Sequence, residues 1–221
     1  MTAISSIHEL LPLLMRGAGI TVQLTVMSAV LALIVAFVAG FGRLSKLTPV
    51  RWLTGIFVEV MRGTSLLVQL FWFFFVLPFF GIKFPAMVVG VIALGLNYGA
   101  YASEVVRSSI QAVPKGQIEA AIALNMTPGQ RMRHVILPQA LMLMIPPFGN
   151  QLIEMLKGTA LVSMITVPEL MRQGNVLISA HFSTERVLLV YGLEFVIYFI
   201  IAYAFTLGMR WLERRVTVGR S

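Results

Sequence analysis

The sequence predicts an all-α, polytopic membrane protein with about five transmembrane helices, an external N-terminus and a cytoplasmic C-terminus. Three observations carry this prediction. First, 58% of the 221 residues are hydrophobic and only 12% are charged, a composition outside the range of ordinary soluble domains. Second, apolar stretches long enough to cross about 30 Å of hydrocarbon recur at about 18–42, 53–80, 85–107, 138–158 and 187–210. Third, the lysines and arginines fall unevenly on the two sides that these spans define.

The first span runs uncharged between Arg16 and Arg43. Its apolar stretch exceeds a signal-peptide core, and Arg43, Lys46 and Arg51 follow it, so it reads as a retained span whose C-terminal end is cytoplasmic. The second contains the aromatic cluster FWFFFVLPFF, Phe71 to Phe80, which core packing and lipid contact explain. The third is FPAMVVGVIALGLNYGAYAS, the fourth passes through Pro138, Pro146 and Pro147, and the fifth carries one acidic residue, Glu194. With these spans, Arg43, Lys46, Arg51, Arg62, Arg107, Lys115, Arg131, Arg133, Arg210, Arg214, Arg215 and Arg220 share one side. They are twelve of the 17 basic residues, so that side is expected to face the cytoplasm. The chain reads as one membrane domain over residues 1–221, without an internal repeat.

Composition also removes function classes. There is no cysteine and no aspartate, and the three histidines, His8, His134 and His181, lie far apart. Disulfide, thiol, aspartyl and metal chemistry are therefore unsupported, and no His/Ser/Lys constellation stands at helical spacing. The net charge of +8 follows from orientation-setting loops rather than nucleic-acid binding.

Charges near the spans stand in pairs. Glu59/Arg62, Glu104/Arg107 and Glu154/Lys157 are each three residues apart, the spacing of helix-face neighbours. For the first two, local pairing near span ends is the expectation. Glu154 and Lys157 follow Pro146, Pro147, Asn150 and Gln151, where tandem prolines are expected to interrupt the helix. Asn150, Gln151, Glu154 and Lys157 then either line a substrate pathway or act as polar glue between helices. Glu194 has no basic partner at helical spacing and is a further candidate for the pathway or for pairing with another span.

The segment 112–137 interrupts this oily pattern. Pro114 and Gly116 precede a strong helix former, Glu119 to Leu124, and Asn125 suits a left-handed C-terminal cap. Thr127 can cap a second helix with Pro128 at its first position. Ala120, Ala121 and Ala123 beside Glu119 give a flat knob suited to a groove on another protein.

The residues Glu119-Ala120-Ala121, the turn position Asn125, and Val135-x-Leu137-Pro138 resemble the EAA loop of permease subunits of ATP-binding-cassette importers. Asn125 stands where that family has glycine, and Val135 where it has isoleucine. The resemblance extends to the polar amino-acid permeases through EVMRGTSLLVQ, GAYASEVVRSSIQAVPKGQIEAA and LPQALMLMIPPFGNQLIEMLKGTAL. Within these, Ser65 replaces a proline, and Gly158 and Ala160 replace an aspartate and a serine. The resemblance implies a non-catalytic transport subunit in the bacterial cytoplasmic (inner) membrane. Its loop would dock on an ATPase through Gly116, Glu119, Ala120, Ala121 and Asn125. Two ATPase subunits, which carry ATP and Mg, a second permease subunit, an extracytoplasmic solute-binding protein and membrane lipid are the implied partners. This chain itself would bind no cofactor, since it has no G-x-x-x-x-G-K-[ST] loop. The implied cargo is a polar amino acid or related zwitterion. A passive channel or ion-coupled transporter is the alternative, but it leaves the capped cytoplasmic helix without a purpose.

Overall fold

The computed structural model describes residues 3–180 and 182–217. His181 and Arg220, weighed above, lie outside the described residues. Among these residues the chain is helical without strands. Helix α1 spans Ala3–Arg43, α2 Thr48–Gly63, α3 Leu66–Phe71, α4 Ala86–Gln111, α5 Lys115–Ala123, α6 Pro128–Arg131, α7 Leu137–Gly158, α8 Leu170–Ala180 and α9 Thr184–Thr217.

Among the described residues, three helices are long and apolar enough to cross a bilayer: Glu9–Arg43, Ala86–Gln111 and Thr184–Val216. They coincide with the expected first, third and fifth spans. The expected second span is not one straight helix. Thr48–Gly63 and Leu66–Phe80 meet at an angle of 104°, because Thr64 and Ser65 take extended backbone angles that end α2 and restart the chain in a new direction. Beyond α3 the helix loosens into a π turn at Trp72–Val76, tightens into a 3₁₀ turn at Leu77–Phe80, and stops at Gly81 with φ 80°. That left-handed angle suits a residue with no Cβ.

The stretch expected as the fourth span lies in α7, whose 22 residues reach about 33 Å at the α-helical rise, but α7 is not one of the three helices apolar enough to cross. The tandem prolines do not break it. Pro146 and Pro147 lie inside a continuous helix; each removes a backbone donor and crowds the preceding turn, a local cost that the helix absorbs here because proline's fixed φ is itself helical. The departure from α-geometry comes later, in a 3₁₀ segment at Thr159–Ile165 that ends at Thr166 with φ 69°.

Small residues set the central packing. A Cβ built on Gly95 would come 2.6 Å from Leu31, and one on Gly99 would come 2.7 Å from Val35. Glycine at these positions lets the backbones of α1 and α4 approach, the main source of association between apolar helices in a bilayer. One buried cluster joins Leu24, Leu70, Leu94 and Val162. A second joins Ala36, Val106, Ile110 and Met144 towards the basic end of the bundle. Helix α8, in the region expected as an external connector, packs between the beginnings of α1 and α9 through Leu14, Leu170 and Ile197. The aromatic cluster divides as its position demands: Phe73 and Phe74 pack on the core, whereas Phe79 and Phe80 face outward.

Candidate functional site

The loop between α4 and α7 folds as two short helices around a sharp turn. At the end of α5, Asn125 takes φ 55°. Its N–H donates to the Ile122 carbonyl at 2.8 Å, and the Met126 N–H donates to the Ala121 carbonyl at 3.1 Å. This paired arrangement closes a helix around a left-handed residue and satisfies carbonyls that the helix end would orphan. Asparagine tolerates that conformation better than most residues bearing a Cβ. The chain restarts at Thr127. The Gln130 N–H donates to Thr127 Oγ1 at 3.4 Å, and the Thr127 N–H donates to Gln130 Oε1 at 2.8 Å, a reciprocal cap with Pro128 in the first turn.

The faces of α5 differ in detail from the expectation. Glu119 and Ala120 are exposed, but Ala121 is turned inward and only 3% accessible. The outward surface is completed instead by Ile122 and Leu124, the latter 75% exposed. Gly116 is exposed, and a methyl added there would meet nothing within 4 Å, so packing inside this chain does not require glycine at that position. Gln139 reaches from α7 to Gln117 on α5 at 3.4 Å, tying the loop helix to the span that follows.

The candidate pathway residues are not brought together. Asn150, Glu154 and Lys157 lie along one exposed stripe of α7, as their i, i+4, i+7 spacing requires. Among the described residues no ion pair joins Glu154 to Lys157. Gln151 faces a different direction, into a cavity of about 280 Å3 between α1, α4, α7 and α9. Asn150 borders a smaller cavity of about 200 Å3 with Arg210 and Glu213. Beside α7, the Tyr98 hydroxyl donates to the Glu154 carbonyl at 2.9 Å. A methyl on Gly158 would meet that hydroxyl at 2.6 Å, so residue 158 must lack a side chain while Tyr98 holds this position. Glu194 is not on the stripe. It is buried on α9, and its Oε1 lies against Gly174 of α8.

Three polar groupings were not recognised in the sequence. At the basic end, Glu104 is a hub: it pairs with Arg43, accepts from Arg107 Nε at 3.0 Å and Nη2 at 2.8 Å, and lies 3.9 Å from Arg62 Nη1. The expected Glu104/Arg107 pair is therefore present within a larger cluster. The expected Glu59/Arg62 pair is not formed: Arg62 leans to Glu104, and Glu59 lies 3.9 Å from Arg43. Helix-face spacing permitted the pair, but the neighbouring helices offered Arg62 a less exposed carboxylate. In the elbow, Gln69 Nε2 and Asn97 Nδ2 both donate to the Met61 carbonyl at 2.9 Å. A lone amide in an apolar run was the available signal for both.

The third grouping is Glu169, wholly buried at the start of α8. Its carboxylate accepts from the N–H of Met171 at 3.0 Å and of Arg172 at 2.8 Å, and from the Tyr198 hydroxyl at 2.9 Å. Thr21 adds a longer contact at 3.4 Å and accepts from the Leu170 N–H at 3.1 Å. A negative group at a helix N-terminus satisfies orphan donors and opposes the positive end of the dipole. Thus Glu169 fastens α8 to α1 and α9.

Relatives of known kind share this layout. The chain is 40% identical over 205 residues to the L-cystine transport system permease protein TcyB of Bacillus subtilis, covering 93% of this chain and 87% of the relative. It is 35% identical over 216 residues to the glutamine transport system permease protein GlnP of Escherichia coli K12, covering 97% of each. A crystal structure of an amino acid ABC transporter with histidines superposes with a TM-score of 0.89 at 36% identity, covering 97% of this chain and 99% of that one. An inward-facing structure of the MetNI methionine ABC transporter shares the fold at 19% identity and a TM-score of 0.76, over 98% and 99% of the two chains. With the family model matched across residues 28–218, the chain belongs to the binding-protein-dependent transport system inner membrane components.

Proposed function

We propose that the chain is the permease subunit of an ABC importer that moves a polar amino acid or related zwitterion across the bacterial cytoplasmic membrane. Hydrolysis of ATP, with Mg, belongs to two separate ATPase subunits. A second permease subunit, identical or paralogous, completes the path, and an extracytoplasmic solute-binding protein delivers the solute.

One observation carries this reading: α5 is a short helix, closed at its C-terminal end by the Asn125 turn and followed by the capped start of α6, that presents Glu119, Ala120, Ile122 and Leu124 outward between α4 and α7. Ile122 and Leu124 are 52% and 75% exposed on this short segment, and burying them in a partner's groove would be favourable. In this reading Glu119 pairs or orients in the ATPase groove. Asn125 fixes the angle at which α5 meets α6, and the link from Gln117 to Gln139 passes movement into α7. Asn150, Glu154 and Lys157 form a polar stripe on the outside of one subunit, where lipid contact would be expensive. A second permease subunit facing this stripe would enclose it, and Glu154 with Lys157 would then offer opposite charges to a zwitterion. Gln151, which faces the cavity inside this chain, and Glu194, assigned to the contact between α8 and α9, are left out of the solute path.

The test is uptake and solute-stimulated ATP hydrolysis by the assembled complex in proteoliposomes. Glu119→Lys should abolish both while leaving the permease folded. Unchanged uptake and stimulated hydrolysis would sink the docking role of α5.

A further inference from the structure

The cavity of about 280 Å3 between α1, α4, α7 and α9 has no part in the importer reading. Its walls include Ala29, Leu33, Phe148, Leu152, Met209 and Leu212. Only Tyr98 and Gln151 bring polar side chains to it, and the Tyr98 hydroxyl is committed to the Glu154 carbonyl. Water gains little in such a space: an apolar cavity of about 150 Å3 stays dry and binds an apolar guest instead. A zwitterionic solute finds no charged anchor there. Leu33 and Leu212 are 44% and 40% exposed, so the cavity is a crevice that opens on the outer surface between α1 and α9.

The occupant is identified by what lies just beyond the mouth. Helix α9 has 34 residues, about 51 Å at the helical rise, and so outruns the roughly 30 Å hydrocarbon layer. One helical turn past Leu212 comes the exposed Arg215, its i+3 neighbour on the helix surface. The Arg215 guanidinium sits over the Trp211 ring, 4.5 Å from its centroid. Tryptophan and arginine at this depth mark the interface, where an arginine attracts phosphate from anionic lipid. Arg210 and Glu213 belong to the other side of the helix, against the smaller cavity, and Arg214, four residues after Arg210, shares that side. An apolar slot leading to a basic, aromatic collar matches an amphiphile with a negative head.

We infer that the crevice between α1 and α9 is a binding site for an anionic glycerophospholipid, with one acyl chain between Leu33 and Leu212 and the phosphate at Arg215. This does not depend on which solute is carried. It makes a bound lipid part of the contact between α9 and α1, where side chains alone leave a gap.

The experiment uses the assembled complex in nanodiscs of mixed phosphatidylglycerol and phosphatidylcholine, with retained lipid identified by native mass spectrometry after delipidation. The wild-type complex should retain phosphatidylglycerol preferentially. Arg215→Gln should lower that preference by about fivefold, whereas Arg214→Gln, on the opposite face of α9, should leave it unchanged. Leu33→Trp, which narrows the mouth, and Ala29→Phe, which fills the slot, should each release the lipid. Because the chain has no cysteine, Leu33→Cys gives a single attachment point for an acyl-chain photoprobe and keeps the proposal testable if a filling variant does not fold. Labelling of phosphatidylglycerol at that position supports it. Equal retention of both lipids by the wild-type complex, undiminished retention by folded filling variants, or a Leu33→Cys disulfide to a second permease subunit would overturn it.

Discussion

The turn at Asn125 gives a quantitative test of how force would enter the membrane domain. Its φ of 55° is in the left-handed region, its side chain is exposed, and no side-chain hydrogen bond from it is formed among the described residues. Backbone conformation, rather than a contact, is therefore what the residue supplies. Asn125→Gly keeps access to that conformation and loses only backbone entropy, about 0.5–1 kcal/mol. Asn125→Val places a β-branched side chain where such residues are outliers, at a cost of about 1–2 kcal/mol. That strain lowers the ratio of intact to opened turn by roughly five- to thirtyfold. It also weakens the 2.8 Å and 3.1 Å hydrogen bonds to Ile122 and Ala121. The assay is the number of ATP molecules hydrolysed per solute imported by the reconstituted complex. Asn125→Gly should couple nearly as wild type, whereas Asn125→Val should hydrolyse without proportionate import. If the valine variant stays within about twofold of wild type on that five- to thirtyfold scale, the turn geometry does not govern coupling. If glycine is as damaging as valine, the side chain matters and the conformational account fails.

Two further outcomes follow from the buried polar contacts. Glu104→Gln leaves three arginines around an uncharged amide and should cost about 1–3 kcal/mol in detergent-solubilised unfolding. Glu59→Gln, whose side chain is 70% exposed, should cost under about 0.5 kcal/mol, and equal losses would remove Glu104 as the hub. Gly174→Ala puts a methyl against Glu194 Oε1 and 3.0 Å from Val190 Cγ1, an overpacking cost of about 1–3 kcal/mol. Most of that loss should disappear in a Glu194→Ala background, and thermal midpoints that simply add would show that the two residues do not meet.

What could be read before the structure was local. Asn125, Thr127, Pro128 and Gln130 act on backbone within five residues, so turn and capping rules reach them without a fold. Long apolar runs likewise mark α1, α4 and α9, because crossing the bilayer sets a minimum apolar length. The polar groupings were hidden for the converse reason. Thr21 and Glu169 are separated by 148 positions, and Arg43 and Glu104 by 61. Spacing rules see one helix at a time, so they paired Glu59 with Arg62 and missed the neighbouring helix that carries Glu104. Glu194 was visible as a lone charge, but only the packing of α8 shows that its neighbour is Gly174.

The elbow between α2 and α3 shows how a residue change can hide a structural feature. Ser65 stands where similar permeases have proline, and a proline there would itself drive Thr64 out of helical geometry. Here Thr64 is extended without that constraint, at φ −112° and ψ 148°. Side chains hold the break instead. Gln69 Nε2 donates to Thr64 Oγ1 at 2.6 Å, Thr64 Oγ1 donates to the Val60 carbonyl at 2.8 Å, and Asn97 Nδ2 donates to Gln69 Oε1 at 3.2 Å. The Met61 carbonyl, left without a helical donor where α2 ends, is shared by Gln69 and Asn97. Interrupted backbone can persist at membrane depth only if its polar groups find partners inside the protein. This chain provides them from α3 and α4. The serine that removes the proline signal from the sequence thus leaves the bend intact, because its support lies in two amides, one of them 36 residues beyond Met61 on the next long helix.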